Sequence, residues 1–312
     1  MKRFTATAWS VLLISLTFGS ETFSQQAARP APKGPPPNHP DIRYGPHERN
    51  VLDFWQAESP QPTPVLVSIH GGGFQSGNKS VDRQLLKECL ASGISVAAIT
   101  YRLSDQAIAP AQFQDCARAI QFLRFKAKEW NIDPKRIAAT GGSAGAGLSL
   151  WLGFHDDLAD PNSADPVLRQ STRLTCMTVF NGQTSYDPRF IRKLFPGKDI
   201  YKHPALAKLF GVDLNKLDEL PVEKYRLFEE VSPMNHLSRG DPPVLLSYSS
   251  PMDAEVTNLG IGIHHPLFGK VLKDKMDELK IPCELYAANQ RIGGGTPMKT
   301  IDFLKEHFGM RK

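Results

Sequence analysis

Residues 136–151, RIAATGGSAGAGLSLW, constrain what this chain can fold into more than any other stretch. Five β-compatible residues, Arg136 to Thr140, run into Gly141-Gly142-Ser143-Ala144-Gly145, and an Ala/Leu-rich helical stretch follows. A sharp strand-to-helix turn requires small residues at Gly141 and Gly145, because a Cβ at either position would collide with the neighbouring strand or helix. Such a turn holds Ser143 in a strained conformation with its hydroxyl exposed. A second glycine motif, His70-Gly71-Gly72-Gly73-Phe74, closes another strand upstream.

The rest of the chain alternates in the same way. Residues 65–69 form a nearly continuous β-branched run, as in a strand buried on both faces. A helical pattern follows over residues 81–92, a second buried strand over 94–101, and a longer helical pattern over 111–131. Asp133-Pro134 breaks that helix before the strand leading to Ser143. Strands are predicted again over residues 174–180, 243–249 and 282–288, and helices over 266–279 and 299–308. This order predicts an α/β fold with parallel βαβ units and a doubly wound, mostly parallel sheet. Residues 181–241 are too long for an ordinary connection and read as a helical lid or cap insertion on the side of the chemistry.

The N-terminus reads as something other than fold. Lys2-Arg3 precede an apolar stretch over residues 6–18 and then small, polar residues, the pattern of a secretory signal peptide over residues 1–24 cleaved near Ser24. The expectation is a secreted or periplasmic protein. The apolar run is shorter than the roughly 20 residues of a membrane span, and no cysteine follows it, so no stable membrane anchor is expected. Residues 25–43 read as an exposed Pro-rich linker and residues 44–312 as the folded domain. The formal charge of +5 is spread along the chain and marks no nucleic-acid face. Cys89, Cys116, Cys176 and Cys283 sit in apolar-periodic segments and read as buried thiols, although export would permit disulfides. Their spacing resembles no metal site, and no metal or organic cofactor is implied. Oligomeric state leaves no signal in the sequence.

Five motifs stand in a telling order: HGGGF at His70 to Phe74, YRLS at Tyr101 to Ser104, PAQFQD at Pro110 to Asp115, DPKRI at Asp133 to Ile137 and GGSAG at Gly141 to Gly145. Together they resemble the α/β-hydrolase superfamily, closest to the HGGG-bearing esterases of the hormone-sensitive-lipase and acetyl-xylan or feruloyl esterase type. The resemblance runs from Tyr44 to the C-terminus. It implies a serine carboxylesterase acting on short-acyl or carbohydrate-linked esters through an acyl-enzyme, with Ser143 as nucleophile. It also implies oxyanion donors on Gly72, Gly73 and Ala144, a structural His70, and Asp253 as the acid, with Glu255 as the spare. The residues suit the task. Glycines let the backbone come close, and Ala144 follows the serine at a helix N-terminus, where its N–H has no helical partner.

The base is out of place. The family sets its histidine after the last strand, where this chain has Asn289-Gln290-Arg291-Ile292-Gly293-Gly294-Gly295. A serine without a base is a poor nucleophile. His264-His265-Pro266, at the start of the helix over 266–279, stands at the carboxyl edge of the sheet. Triads are defined by geometry and not by chain order, so His265 or His264 is the candidate base. His203 and His236 belong to the insertion, and His155 lies too far along the helix after Ser143. The alternative is a degenerate hydrolase that binds a glycan or small ligand without turnover.

Overall fold

Short runs of Val, Ile and Ala without polar alternation suit strands covered on both sides, and they form the centre of a nine-stranded sheet among the described residues. The computed structural model describes Met1 and residues 34–310. The expected signal peptide lies outside the described residues. The chain divides into residues 1–35 and residues 36–312, and the second unit carries the sheet.

The strands are β1 (His39–Arg43), β2 (Val51–Trp55), β3 (Thr63–Ile69), β4 (Ser95–Ile99), β5 (Ile132–Gly142), β6 (Met177–Phe180), β7 (Val244–Tyr248), β8 (Cys283–Ala287) and β9 (Gln290–Arg291). Their order is β1-β2-β4-β3-β5-β6-β7-β8-β9. Neighbours from β4 to β8 are parallel; β1 and β2 at one edge and β9 at the other run antiparallel. The helices are α1 (Arg83–Ala91), α2 (Ala111–Phe125), α3 (Ala144–Phe154), α4 (Pro188–Leu194), α5 (Pro204–Phe210), α6 (Val222–Glu230), α7 (Pro233–His236), α8 (Leu259–Ile263), α9 (Leu267–Leu279) and α10 (Thr300–His307). One face of the sheet packs Leu66, Val96 and Leu245 against Leu86 and Cys89 of α1 and Phe303 and Leu304 of α10. The other packs Val65, Val67 and Ala139 with α2, α3 and α9. The sheet is doubly wound, as its alternation of elements predicts.

Several boundaries differ from the sequence reading, two of them for reasons the structure makes plain. The linker expected through residue 43 ends earlier, because His39–Arg43 pairs with β2 as an edge strand. Its pattern was hidden by Pro40 and by a bulge at Asp41, whose φ is 54°. The helix expected to reach residue 131 stops at Phe125. Asn131 instead turns with φ 50°, its carbonyl accepts from Thr63 N–H at 2.8 Å, and Ile132 joins the sheet. The insertion between β6 and β7 holds α4 to α7. All four cysteines are buried and free, and burial pushes Cys89, Cys176 and Cys283 up to about 12. No helix among the described residues is long and apolar enough to cross a membrane.

The turn from β5 to α3 is the tightest point. A Cβ on Gly141 would lie 2.6 Å from the Ile69 carbonyl oxygen and 2.5 Å from the Gly145 carbonyl; one on Gly145 would be driven into the Ile69 carbonyl itself. Backbone rather than a flexible side chain is the obstacle in each case. Gly145→Ala is therefore expected to lower unfolding free energy by about 2–3 kcal/mol, read as a shifted urea midpoint; an unchanged midpoint would contradict the packing described.

Candidate active site

The turn after β5 leaves Ser143 at φ 53° and ψ −121°, a region that non-glycine residues rarely occupy. Its N–H donates to the Phe180 carbonyl at 2.9 Å, and its Oγ projects to His264 Nε2 at 2.8 Å. His264 caps the C-terminal end of α8, and its Nδ1 is 2.9 Å from the carbonyl oxygen of Gly260. A carbonyl can only accept, so Nδ1 carries the proton and Nε2 presents a lone pair to Ser143. Gln183 steadies the segment by donating Nε2–H to the Ile263 carbonyl at 2.7 Å.

His264 is thus the histidine brought to Ser143, and His265 is not. His265 is buried with both nitrogens engaged: Nε2 donates to the Ala254 carbonyl at 3.0 Å, and Nδ1 accepts from Leu267 N–H at 3.1 Å. It pins the loop before α8 to the start of α9. The acid expectation also fails to meet the geometry. Asp253 is exposed and makes no hydrogen bond among the described residues, and Glu255 is exposed too. The short helix α8 stands between that loop and His264, so the acceptor at Nδ1 is a backbone carbonyl. The reason for the displaced histidine lies at β8. Ala288 and Asn289 both have positive φ, 47° and 62°, and Ala287 pairs with Gln290. A two-residue hairpin turn replaces the loop that would carry a histidine toward the serine.

The glycine loop faces the serine. Gly72 has φ 100°, and its carbonyl accepts from Gln75 N–H at 3.0 Å and Ser76 N–H at 3.2 Å, closing a tight turn. The N–H groups of Gly72, Gly73 and Ala144 donate to no backbone acceptor among the described residues. Gly72, Gly73, Ser143, Ala144, His203 and His264 all line one cleft of about 430 Å³, roofed by Ala205, Leu206 and Ile263. Of the two insertion histidines, His203 reaches this cleft. Burial pushes its ring below the ordinary histidine range, and neighbouring His264 adds to that. His236 packs elsewhere. A larger groove of about 590 Å³ lies away from Ser143 between Arg102 and Arg118, but Asp115 and Asp165 already pair those cations at 2.7 Å each.

The remaining motifs hold the loop in place. Tyr101 Oη donates to the His70 carbonyl at 2.9 Å and Ser104 N–H to the Phe74 carbonyl at 2.7 Å. Arg102 grips Asp115 in a fork of 2.8 and 2.7 Å, joining YRLS to PAQFQD. His70 is stacked on Tyr101 with ring centroids 4.3 Å apart, and its Nδ1 donates to the Gly71 carbonyl at 2.8 Å. Its Nε2 then accepts from Arg49 at 3.3 Å. No local pattern marks Arg49; only the fold brings the β1–β2 connection to the glycine loop.

Residues 52–257 match the model of the BD-FAE family. The chain is 31% identical over 213 residues to the probable carboxylic ester hydrolase LipM of Mycobacterium tuberculosis, covering 65% of this chain and 45% of that one. It is 36% identical over 101 residues to an acetyl esterase of Salmonella schwarzengrund, covering 30% and 31%. The chain therefore spans less than half the length of these relatives. The fold is similar to the crystal structure of an acetyl ester-xyloside bifunctional hydrolase from Caldicellulosiruptor lactoaceticus, with TM-score 0.64 and 21% identity over 87% of this chain and 91% of that one.

Burial of His70, with the Arg49 cation adding to it, outweighs the hydrogen bond to Gly71 and pushes the ring down to about 4. A histidine depressed in the folded state takes up its proton more readily when unfolded. Its contribution is complete above the unfolded value near 6.5 and is lost as pH falls toward 4, about 3 kcal/mol in all. Urea midpoints measured from pH 7 to pH 4 are expected to fall for the native chain and to fall less steeply for His70→Gln; parallel slopes would remove His70 as the cause.

Proposed function

The chain belongs to the BD-FAE family of α/β-hydrolase-type esterases, and from that premise we propose that it is an exported serine carboxylesterase hydrolysing short-acyl or carbohydrate-linked esters through an acyl-enzyme. The observation that carries the reading is the 2.8 Å hydrogen bond between Ser143 Oγ and His264 Nε2. Ser143 Oγ attacks the acyl carbon while its proton passes to His264 Nε2. The carbonyl electron pair moves onto oxygen, where the unspent N–H groups of Gly73 and Ala144, with Gly72 beside them, receive it. Collapse expels the alcohol, which takes the proton back from His264. Water then attacks the acyl carbon while giving a proton to Nε2; the bond from the acyl carbon to Ser143 Oγ breaks, and His264 returns that proton to Oγ, freeing the acid and the serine. The Gly260 carbonyl holds the ring's tautomer and orientation throughout, the part an aspartate takes elsewhere in the superfamily.

A small cleft roofed by Ala205 and Leu206 supports a short acyl group, and the acetyl esterase relative points the same way. Gln75, Gln183 and His203 along its wall supply polar contacts suited to an alcohol or sugar. Export rests on Lys2-Arg3 and the apolar run that follows. The mature protein is expected to begin near residue 25, which intact-mass measurement of secreted material checks.

The enzymatic reading is tested with a fluorophosphonate and a short-chain aryl ester. The native chain is expected to be labelled on the Ser143 peptide, and Ser143→Ala and His264→Gln to lower kcat/KM at least about a thousandfold. Asp253→Asn is expected to stay within about threefold of the native rate, since an exposed, unpaired side chain contributes little. Full activity in Ser143→Ala, or a folded native chain that neither labels nor turns over, defeats the proposal, and the second result leaves ligand binding without turnover.

A further inference from the structure

The C-terminal ends of three helices meet about 18 Å along α3 from Ser143. His155 caps α3, Glu230 ends α6 and His236 ends α7. One nitrogen of each ring and one carboxylate oxygen of Glu230 lie within 4.8 Å of one another. We propose that His155, Glu230 and His236 bind one zinc-class divalent cation, a site separate from the esterase centre and independent of it.

The hydrogen bonds around the cluster argue for a cation. His155 Nδ1 is 2.8 Å from the Asp156 carbonyl, and His236 Nε2 is bonded to the Glu230 carbonyl. Carbonyls only accept, so those nitrogens carry the hydrogens, and His155 Nε2 and His236 Nδ1 are left as lone pairs. A ligating histidine characteristically spends its other N–H on a carbonyl in this way. His155 Nε2 then faces Glu230 Oε1 at 3.2 Å, acceptor against acceptor. Something positive must stand between them, either a second proton on the ring or a metal ion. Two ligands of a tetrahedral zinc at about 2.1 Å stand roughly 3.4 Å apart, close to the distance found.

The frame is firm on one side and open on the other. Trp151 lies 4.2 Å from the His155 ring, and its Nε1–H donates to the Glu230 carbonyl at 2.9 Å. The His155 and His236 rings are 4.6 Å apart. The Glu230 side chain is half exposed, so its carboxylate is free to turn toward a bound ion, and the open side leaves a fourth position to water. Imidazole and carboxylate together suit zinc better than calcium or magnesium. A bound ion would clamp the far end of the helix that begins at Ser143 to two helices of the insertion.

The test uses the full chain stripped with chelator and titrated with zinc chloride against a chromogenic competitor. One equivalent is expected to bind, and zinc at a hundredfold excess over Kd to raise Tm by about 5 °C. His155→Gln and His236→Gln, which keep side-chain size and a donor, are each expected to weaken binding at least about tenfold and to abolish the Tm rise. Glu230→Gln, at a half-exposed position, provides a third variant whose folding is least at risk; circular dichroism of the metal-free proteins controls for folding. No zinc bound, equal binding by all three variants, or a Tm that responds to pH through the imidazole range but not to zinc would each overturn the site. Ester hydrolysis is read separately, so loss of the metal site and loss of the esterase reading are distinguishable.

Discussion

The approach of α3 to the end of β3 is the contact on which the site depends. Ile69 and Gly141 are register partners in neighbouring strands, and Gly145 of the following helix rests on the Ile69 carbonyl. Strand, strand and helix can come this close only if two positions lack a side chain. The result is the positive φ at Ser143, a local cost that the rest of the β5–α3 packing sustains. The same contact brings the end of β3, and so the HGGG loop that follows it, beside the serine. Ser143, the proposed nucleophile, and the unspent amides are therefore products of one packing event. Any change that separates β3 from α3 moves both.

The histidine is positioned by a different part of the fold, and its surroundings explain why it could move. The edge of the sheet at β8 folds back at Ala288 and Asn289, so nothing beyond that strand reaches inward. The β7–α9 connection takes over. Asn258 caps α8 by accepting from Ile261 N–H at 2.9 Å, Gln183 holds the Ile263 carbonyl, and buried His265 ties the loop to α9. Three anchors on the eight residues from Asn258 to His265 make a connection stiff enough to present a side chain. The adjacent histidines divide the work: His265 is spent on structure, and His264 alone keeps a free nitrogen.

Much of this was legible in the sequence, because the constraint that sets the fold is local. Gly141, Ser143 and Gly145 announce the turn by their spacing, the β-branched runs announce buried strands, and HGGGF announces a backbone with amides to spare. What was not legible depends on meetings between distant segments. Nothing local separates His264 from His265; the choice follows from which face α8 turns to Ser143, and α8, only five residues long, leaves no periodic trace. Asp253 was a reasonable expectation from its place after β7, yet the loop carries it outward. Arg49 reaches His70 across the fold, and His155 finds Glu230 and His236 at separations of 75 and 81 residues that no motif records.

The carbonyl at His264 Nδ1 bears on how the proposed serine mechanism would run without a carboxylate beside the histidine. The acid of a triad does two things: it fixes the imidazole tautomer, and its charge stabilises the imidazolium formed during attack. An amide side chain in that place can donate and so can set the wrong tautomer. A backbone carbonyl cannot donate, so the Gly260 oxygen secures the correct tautomer without ambiguity. The charge is replaced only by a dipole, the negative end of a single-turn helix, which is weaker than a carboxylate at the same distance. In the proposed reaction, orientation is preserved and electrostatic help to the imidazolium is reduced. The oxyanion amides then carry a larger share of the transition-state stabilisation, and they are the part of the site most firmly built into the sheet.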